Sequence, residues 1–452
     1  MPSANPWIED RTIALFVDLY ELTMAQAYVA EDMHDEAVFS LFVRRLPERR
    51  NYLLACGLDD VLAYFEKLRF EGDSLDHLQS LGLFDNRFLD WLADFRFSGE
   101  VHAVPEGTPI FADEPILEVS APIAEAQIAE TFIMNQVHLQ TTLASKAARV
   151  VTAARGRTVI DFGPRRMHGT DAAVKAARAF HIAGVDATSN VFAGKVYGVD
   201  TKGTMAHSFV QAWDREEDAF RSFVRLYPET VLLVDTYDTL RGVERVCALA
   251  REMGEDFRVR AIRLDSGDLK RLAFEARRIL DDGGLKDVEI FASSSLDEDA
   301  IADIVRAGAP ITGFGVGTNM GVSSDAPSLD IAYKLCAYAG KGRLKTSTDK
   351  PVLPGRKQVF RSEEDGFPVG DMIARRDEDL PGKPLLEPVM RNGRRIADRS
   401  VPLDQARQHA QREIARLPEA IRALEPAPTP YPVTVSDALI ADQQQLIRKM
   451  RG

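Results

Sequence analysis

Between residues 158 and 319 short β-branched and apolar runs recur, several of them roughly 25–35 residues apart, with helical stretches between them. The runs are TVIDFG (158–163), TVLLVDTYDT (230–239), VRAIRLDSGD (259–268), VEIFASSS (288–295) and ITGFGVGTN (311–319). SGDLKRLAFEARRIL and DEDAIADIVRAG, which lie between them, place apolar residues at helical spacing. A strand can pair in parallel with the next only through a crossover, and a helix is the usual one. The rhythm therefore predicts a parallel sheet. Its length favours a barrel over an open sheet.

The flanking segments read differently. FSGEVHAVPEGTPIFADEPILEVS (97–120) is a set of short strands broken by Pro and Gly, after a predicted helix over 18–31, a strand over 36–46 and a helix over 52–70. One long helical pattern follows over about 122–155. After about 341 the barrel rhythm stops, and a polar segment with a predicted helix over 403–424 closes the chain. The expected organisation is an N-terminal α+β domain with a connecting helix (1–155), an α/β barrel (156–340), and a C-terminal segment (341–452) that completes the N-terminal domain.

Composition excludes several partners. Lys and Arg number 56 against 69 Asp and Glu, a formal charge of −13 with no Lys/Arg-dense tract. Such a chain is a poor ligand for nucleic acid or an anionic membrane, and an anionic substrate needs a local cationic pocket. The three cysteines, Cys56, Cys247 and Cys336, are far apart and form no metal knuckle. They suit a reducing cytoplasm. The N-terminal stretch has no basic region before its apolar run and is interrupted by Asp18 and Glu21, unlike a signal peptide or a membrane span.

In a parallel barrel the C-terminal strand ends face the active site. They carry Asp161, Asp235, Asp238, Arg263, Asp265, Asp268, Ser293–Ser295 and the turn Gly315-Val316-Gly317-Thr318-Asn319. Any one Asp after a strand is ordinarily a helix N-cap, and the serine run can cap the following helix. Several carboxylates with an arginine on one face exceed what capping explains. GVGTN has the composition of a backbone nest for phosphate, and carboxylates opposite a phosphate suggest sugar hydroxyls, Mg²⁺, or both. The residues alone reach a phosphosugar-binding barrel.

DLYELTMAQAY (18–28), DFGPRR (161–166), NVFAGKVYG (190–198), GTMAHSFV (203–210), LLVDTYDT (232–239), RLDSGDL (263–269), GFGVGTNM (313–320) and KTSTDKPVLPGRK (345–357) occur in the order found in nicotinate phosphoribosyltransferases. The chain resembles that family from about residue 11 to 436. The resemblance implies a type II phosphoribosyltransferase: an irregular TIM-like α/β barrel plus an α+β domain built from the N- and C-terminal segments, working as a homodimer with sites near the subunit boundary. It implies synthesis of nicotinate mononucleotide from nicotinate and 5-phosphoribosyl 1-pyrophosphate, in NAD salvage, with Mg²⁺ and with ATP hydrolysis coupled. Asp235 and Asp265 would then hold ribose or the metal-linked diphosphate. Gly315, Gly317 and Thr318 would cradle the 5′-phosphate. Tyr20 and Phe162 would flank the pyridine ring, unless they are plain core aromatics. Arg165, Thr204 and Arg263 would meet the ring carboxylate or the phosphates. Arg44, Arg45, Lys345 and Lys357 are further cations that a neighbouring subunit's phosphate could meet.

His207 is in this resemblance the residue that ATP phosphorylates. A metal role is disfavoured, because no second His or Cys stands at ligand spacing. Met205, directly after Gly203-Thr204, stands where nicotinamide-using relatives carry an acidic residue. The resemblance therefore implies selectivity for the acid over the amide. A Schiff-base aldolase is disfavoured, since Lys195 and Lys202 lie in a glycine-rich connection rather than at a strand end.

Overall fold

The computed structural model describes residues 8–346, 352–396 and 401–451. It divides into two compact units, one from Leu143 to Pro327, the other made of the chain up to Thr142 and from Ser328 onward. The barrel unit thus begins and ends earlier than the expected 156–340. Its first element is the latter part of the helix Glu130–Ala154.

The barrel unit holds six strands: β1 (Thr158–Asp161), β2 (Ala187–Thr188), β3 (Val231–Leu233), β4 (Ala261–Leu264), β5 (Glu289–Ser293) and β6 (Gly313–Val316). Their neighbour order is β2-β1-β6-β5-β4-β3, and every pairing is parallel. That order is cyclic in the chain, with the seam between β2 and β3, which are the two ends of the ladder. The seam is where the sequence rhythm lapses. Residues 189–230 hold three helices and only an isolated bridge between Thr188 and Thr201. Among the described residues the six strands therefore form a parallel half-barrel sheet with β2 and β3 at its edges.

The crossover helices show why the sequence folds this way. In Thr239–Met253 the buried residues include Val243, Val246, Cys247 and Ala250, one stripe at helical spacing. Leu272, Ala273, Ala276 and Leu280 do the same for Leu269–Asp282. The strands between are buried on both faces and read as continuous apolar runs, as parallel strands covered by helices must.

The other unit is the α+β domain. A seven-stranded antiparallel sheet has Glu36–Val43 as an inner strand, paired on one side with Ile331–Tyr338 and on the other with the central strand Pro115–Pro122. Residues from both ends of the chain therefore share one sheet and one core. Several predicted elements are shorter here. The 122–155 pattern is two helices, Ile123–Ile128 and Glu130–Ala154, and the 52–70 helix is Leu58–Lys67 after a short strand at Leu53–Leu54. The 403–424 helix stops at Arg416, because Pro418 pushes Leu417 into extended backbone. Asp18 occupies the N-cap of Leu19–Ala30, yet its side chain makes no capping bond.

Candidate active site

The aspartates at the barrel's strand ends sort into three kinds. Asp238 and Asp268 are caps, their Oδ1 atoms accepting from Arg241 N at 2.9 Å and Arg271 N at 3.1 Å. Asp161 is a fastener, accepting from Gly163 N and from Thr188 Oγ1 of the neighbouring strand. No cation balances it, and burial pushes its carboxyl up to about 6. Asp235 and Asp265 cap nothing. Asp235 Oδ2 accepts from Asp265 N at 2.8 Å and Ser266 Oγ at 2.7 Å, while its Oδ1 is buried with no hydrogen-bond partner.

Asp265 is the hub. Ser293 Oγ donates to its Oδ1, and its Oδ2 lies 3.5 Å from His207 Nε2. His207 Nδ1 in turn lies 3.1 Å from Thr236 Oγ1. An ionised carboxylate only accepts, so Asp265 favours the tautomer with the proton on Nε2 and leaves Nδ1 as the basic nitrogen. His207 opens the short helix His207–Gln211 and is partly exposed.

Arg263 lies deeper. Its Nη2 donates to Met205 O at 2.9 Å, its guanidinium carbon lies 5.8 Å from the centre of the Phe162 ring, and its Nε is buried without a partner. Burial lowers its pKa and nearby Arg165 adds to that, while Asp265 and Asp235 oppose it. Arg165, exposed on the turn Pro164–Arg166, therefore acts on the same place. Arg263 thus lies over the half-buried Phe162 ring, with a second cation, Arg165, near enough to act on it. This arrangement suits a planar anion.

Three expectations change. Gly315 gains a task the sequence did not suggest: a Cβ there would lie 2.4 Å from Phe162 Cδ2, so the missing side chain is the floor on which the ring rests. Gly317 and Thr318 lie beyond that floor, and Thr318 begins a one-turn helix. Asn319 Nδ2 ties the turn to Ser295 O and Leu296 O. The serine run is not a cap, since Asp297 caps Glu298–Arg306. Ser294 and Ser295 instead adopt φ of 87° and 45°, backbone that non-glycine residues seldom take. Met205 is buried, so its side chain is no wall of the pocket; the turn offers the site a carbonyl that aims Arg263. Thr204 Oγ1 donates to that same carbonyl at 3.3 Å. Thr236 and Ser266, which contact His207 and Asp235, were missed as site residues, whereas Ser293 was already among the strand-end candidates. A hydroxyl one residue after a strand-end Asp, as in Asp235-Thr236 and Asp265-Ser266, was the available signal.

Tyr20 belongs to the other unit. It is exposed on the first turn of Leu19–Ala30, and burial with Glu130 and Glu21 nearby raises its phenol. Arg44 and Arg45 both pair with Asp330 and remain substantially exposed. Lys357 is excluded as a phosphate ligand, for it is buried and its Nζ pairs with Glu118 at 2.9 Å. Lys345 is exposed. Part of its motif, residues 347–351, lies outside the described residues.

Carboxylates, a histidine and an arginine gathered at the strand ends of parallel strands define the class as an α/β barrel protein with its polar side chains where such folds carry active sites. Comparison with known proteins narrows the class. Three family models match: nicotinate phosphoribosyltransferase N-terminal domain over 15–138, the nicotinate phosphoribosyltransferase family over 158–367, and its C-terminal domain over 381–443. The Mycobacterium tuberculosis nicotinate phosphoribosyltransferase pncB2 is 56% identical over 96% of this chain and 94% of its own. The Bacillus subtilis nicotinate phosphoribosyltransferase is 38% identical over 82% and 78%. The crystal structure of human nicotinic acid phosphoribosyltransferase superposes with a TM-score of 0.86 at 28% identity, covering 95% of this chain and 99% of that one. The chain belongs to the nicotinate phosphoribosyltransferase family of enzymes.

Proposed function

We propose that this enzyme joins nicotinate to 5-phosphoribosyl 1-pyrophosphate, forming nicotinate mononucleotide and pyrophosphate for NAD salvage. The observation that carries the reading is Arg263, a partly buried guanidinium 5.8 Å from the centre of the Phe162 ring, with its Nε buried and unpartnered. A ring bearing a carboxylate satisfies that cation and stacks on that aromatic at once.

As the pyridine nitrogen attacks C1′ and pyrophosphate leaves, positive charge builds on the sugar. Carboxylates placed beforehand stabilise that charge, which is the role proposed for Asp235 and Asp265. Among the described residues no group of three or more His, Cys, Asp or Glu could hold a metal by itself. Mg²⁺ commonly uses one or two carboxylates together with substrate phosphates. The unpartnered Oδ1 of Asp235 fits that donor set, with Asp265 beside it. A bound Mg²⁺ would neutralise charge on the departing diphosphate. Gly317, Thr318 and Arg165 are the proposed phosphate contacts.

ATP coupling is proposed to run through His207. Nδ1 attacks the γ-phosphorus, the bond to the bridging oxygen breaks, and ADP departs; water later releases phosphate. The Thr236 and Asp265 contacts hold the imidazole for this step. A homodimer is supported by the apolar helix Val191–Tyr197, where Val191, Phe192 and Val196 are exposed at 75%, 58% and 51%. The three cysteines are buried and in no disulfide, which accords with the proposed cytoplasmic location. Among the described residues no helix is long and apolar enough to cross a membrane.

The test is product analysis with phosphoribosyl pyrophosphate and either nicotinate or nicotinamide, with and without ATP. Nicotinate mononucleotide should form, faster with ATP, and nicotinamide should be used poorly. Preference for nicotinamide would reject the role given to Arg263.

A further inference from the structure

A second group of cations lies in the unit built from the chain's two ends. There a cavity of about 940 Å³ is bordered by strand residues Glu36 and Val38, the hairpin around Gly340, and the helix Asp437–Arg451. The helix contributes Asp442, Gln445, Leu446, Lys449 and Met450, one face at helical spacing. It is seated firmly on the hairpin: a Cβ at Gly342 would lie 2.8 Å from Leu446 Cδ1. A volume of this size is in the range that small ligands occupy.

The charge of the lining is out of keeping with the chain. Six cations (Lys341, Arg343, Arg356, Arg375, Arg376 and Lys449) face three carboxylates, those of Glu36, Asp377 and Asp442, in a chain of net charge −13. Three of the cations are engaged. Arg356 pairs with Glu36, Arg376 with Glu118 at 2.5 Å, and Arg375 with Asp377 at 3.4 Å and Asp442 at 3.6 Å. Arg375 Nε is nonetheless buried without a hydrogen-bond partner. Lys341, Arg343 and Lys449 have no carboxylate partner among the described residues. Arg343 instead rests over the Tyr338 ring at 5.9 Å and touches the carbonyls of Gly342 and Lys341. A concave wall concentrates the field of such charges, and their mutual repulsion is relieved by an anion. The surroundings agree: burial and the nearby Arg376 push His102 down to about 4.

We propose that this cavity binds a phosphorylated anion of nucleotide size, its di- or triphosphate on Lys341, Arg343 and Lys449 and its remaining part against Val38, Pro354, Leu446 and Met450. Every lining residue belongs to the unit built from the chain's ends, and none belongs to the Asp235–Asp265 constellation.

The full-length enzyme is titrated calorimetrically with tripolyphosphate and, separately, with a non-hydrolysable nucleoside triphosphate. Wild type is compared with Lys341→Gln/Arg343→Gln/Lys449→Gln and with the milder Lys341→Gln/Lys449→Gln, which leaves Arg343 on Tyr338. One class of tripolyphosphate sites should weaken by at least about tenfold in both variants. That class should persist in Asp235→Asn, and both lysine variants should keep wild-type melting temperature, kcat and KM. Tighter binding of the nucleotide than of tripolyphosphate supports the proposal; equal binding overturns the assignment of the apolar wall to the rest of a nucleotide. An unchanged isotherm in the triple variant overturns the proposal. So does a parallel loss of turnover, which would make the cavity part of the catalytic reaction.

Discussion

Glu118 and Asp235 are both buried carboxylates, and the molecule treats them in opposite ways. Glu118, in the sheet of the α+β unit, receives Ser40 Oγ at 2.5 Å, Lys357 N and Nζ each at 2.9 Å, and Arg376 Nη2 at 2.5 Å. Burial works against its ionisation, but Lys357 and Arg376 overcome this and hold its carboxyl below the usual range. Asp235, in the barrel, has two neutral donors on one oxygen and nothing on the other. A complete buried network fastens a fold. An incomplete one, next to an Asp265 that contacts a partly exposed histidine and near an arginine whose Nε is unpartnered, is poised to be completed by a ligand. The two kinds of carboxylate are equally polar in sequence, and only their partners tell them apart.

The largest effect should separate turnover from stability. Asp235→Asn and Asp265→Asn should each lower kcat by about 10²–10³-fold, with melting temperatures near wild type. Near-normal turnover in both folded variants would remove these residues from the site. Glu118→Gln should do the reverse. It strands Lys357 and Arg376 in the interior, so denaturant melts should report a loss of about 3–5 kcal/mol, while the enzyme that remains folded turns over normally.

His207→Ala sharpens the contrast within the barrel. Basal nucleotide synthesis should survive, while ATP hydrolysis and its stimulation of synthesis disappear. Incubation of wild type with γ-labelled ATP should give an acid-labile protein phosphate, absent from the variant. Equal stimulation by ATP in the variant would leave His207 a structural residue.

Gly315→Ala tests whether the ring floor matters. The new methyl would have to displace Phe162, so KM for nicotinate should rise by about tenfold, a loss of about 1.4 kcal/mol, with KM for the phosphosugar much less affected. If both KM values move equally, Phe162 does not touch the pyridine.

The smallest effect is in pH. Asp161 is buried with only neutral donors, and its carboxyl moves from 3.8 to about 6. Its folded pKa is raised, so its contribution to stability is full below pH 3.8 and is lost as pH rises toward 6. Asp161→Asn should flatten the stability profile across that window. Glu118 has the opposite sign, and its contribution should fade as pH falls below 4.5. A profile for Asp161→Asn as steep as wild type would mean that the carboxyl titrates normally.

Much of this was legible in the chain. Strand-ending aspartates separated by amphipathic stripes marked β3, β4 and the helices after them, because a parallel strand must be apolar on both faces and a crossover helix on one. The seam between β2 and β3 was not legible, for its helices are short and its bridge to Thr201 rests on backbone alone. Asp238 and Asp268 were indistinguishable in sequence from Asp235 and Asp265. Met205 read as a pocket residue because the chain places it beside Thr204, yet its side chain is buried and its carbonyl is what reaches Arg263.

The sequence by itself determined the periodicities, the charge balance, and the set of motifs by which the chain resembles its family, since these depend on residue type and spacing along one dimension. Tertiary structure decided which aspartate caps a helix and which is left with an empty oxygen. It also decided that Lys357 serves a buried carboxylate and that Gly315 supports a ring. Those outcomes depend on which atoms reach one another through space. Hydrogen bonds and ring contacts act over a few ångströms, between residues such as Ser293 and Asp265 that lie 28 positions apart in the chain.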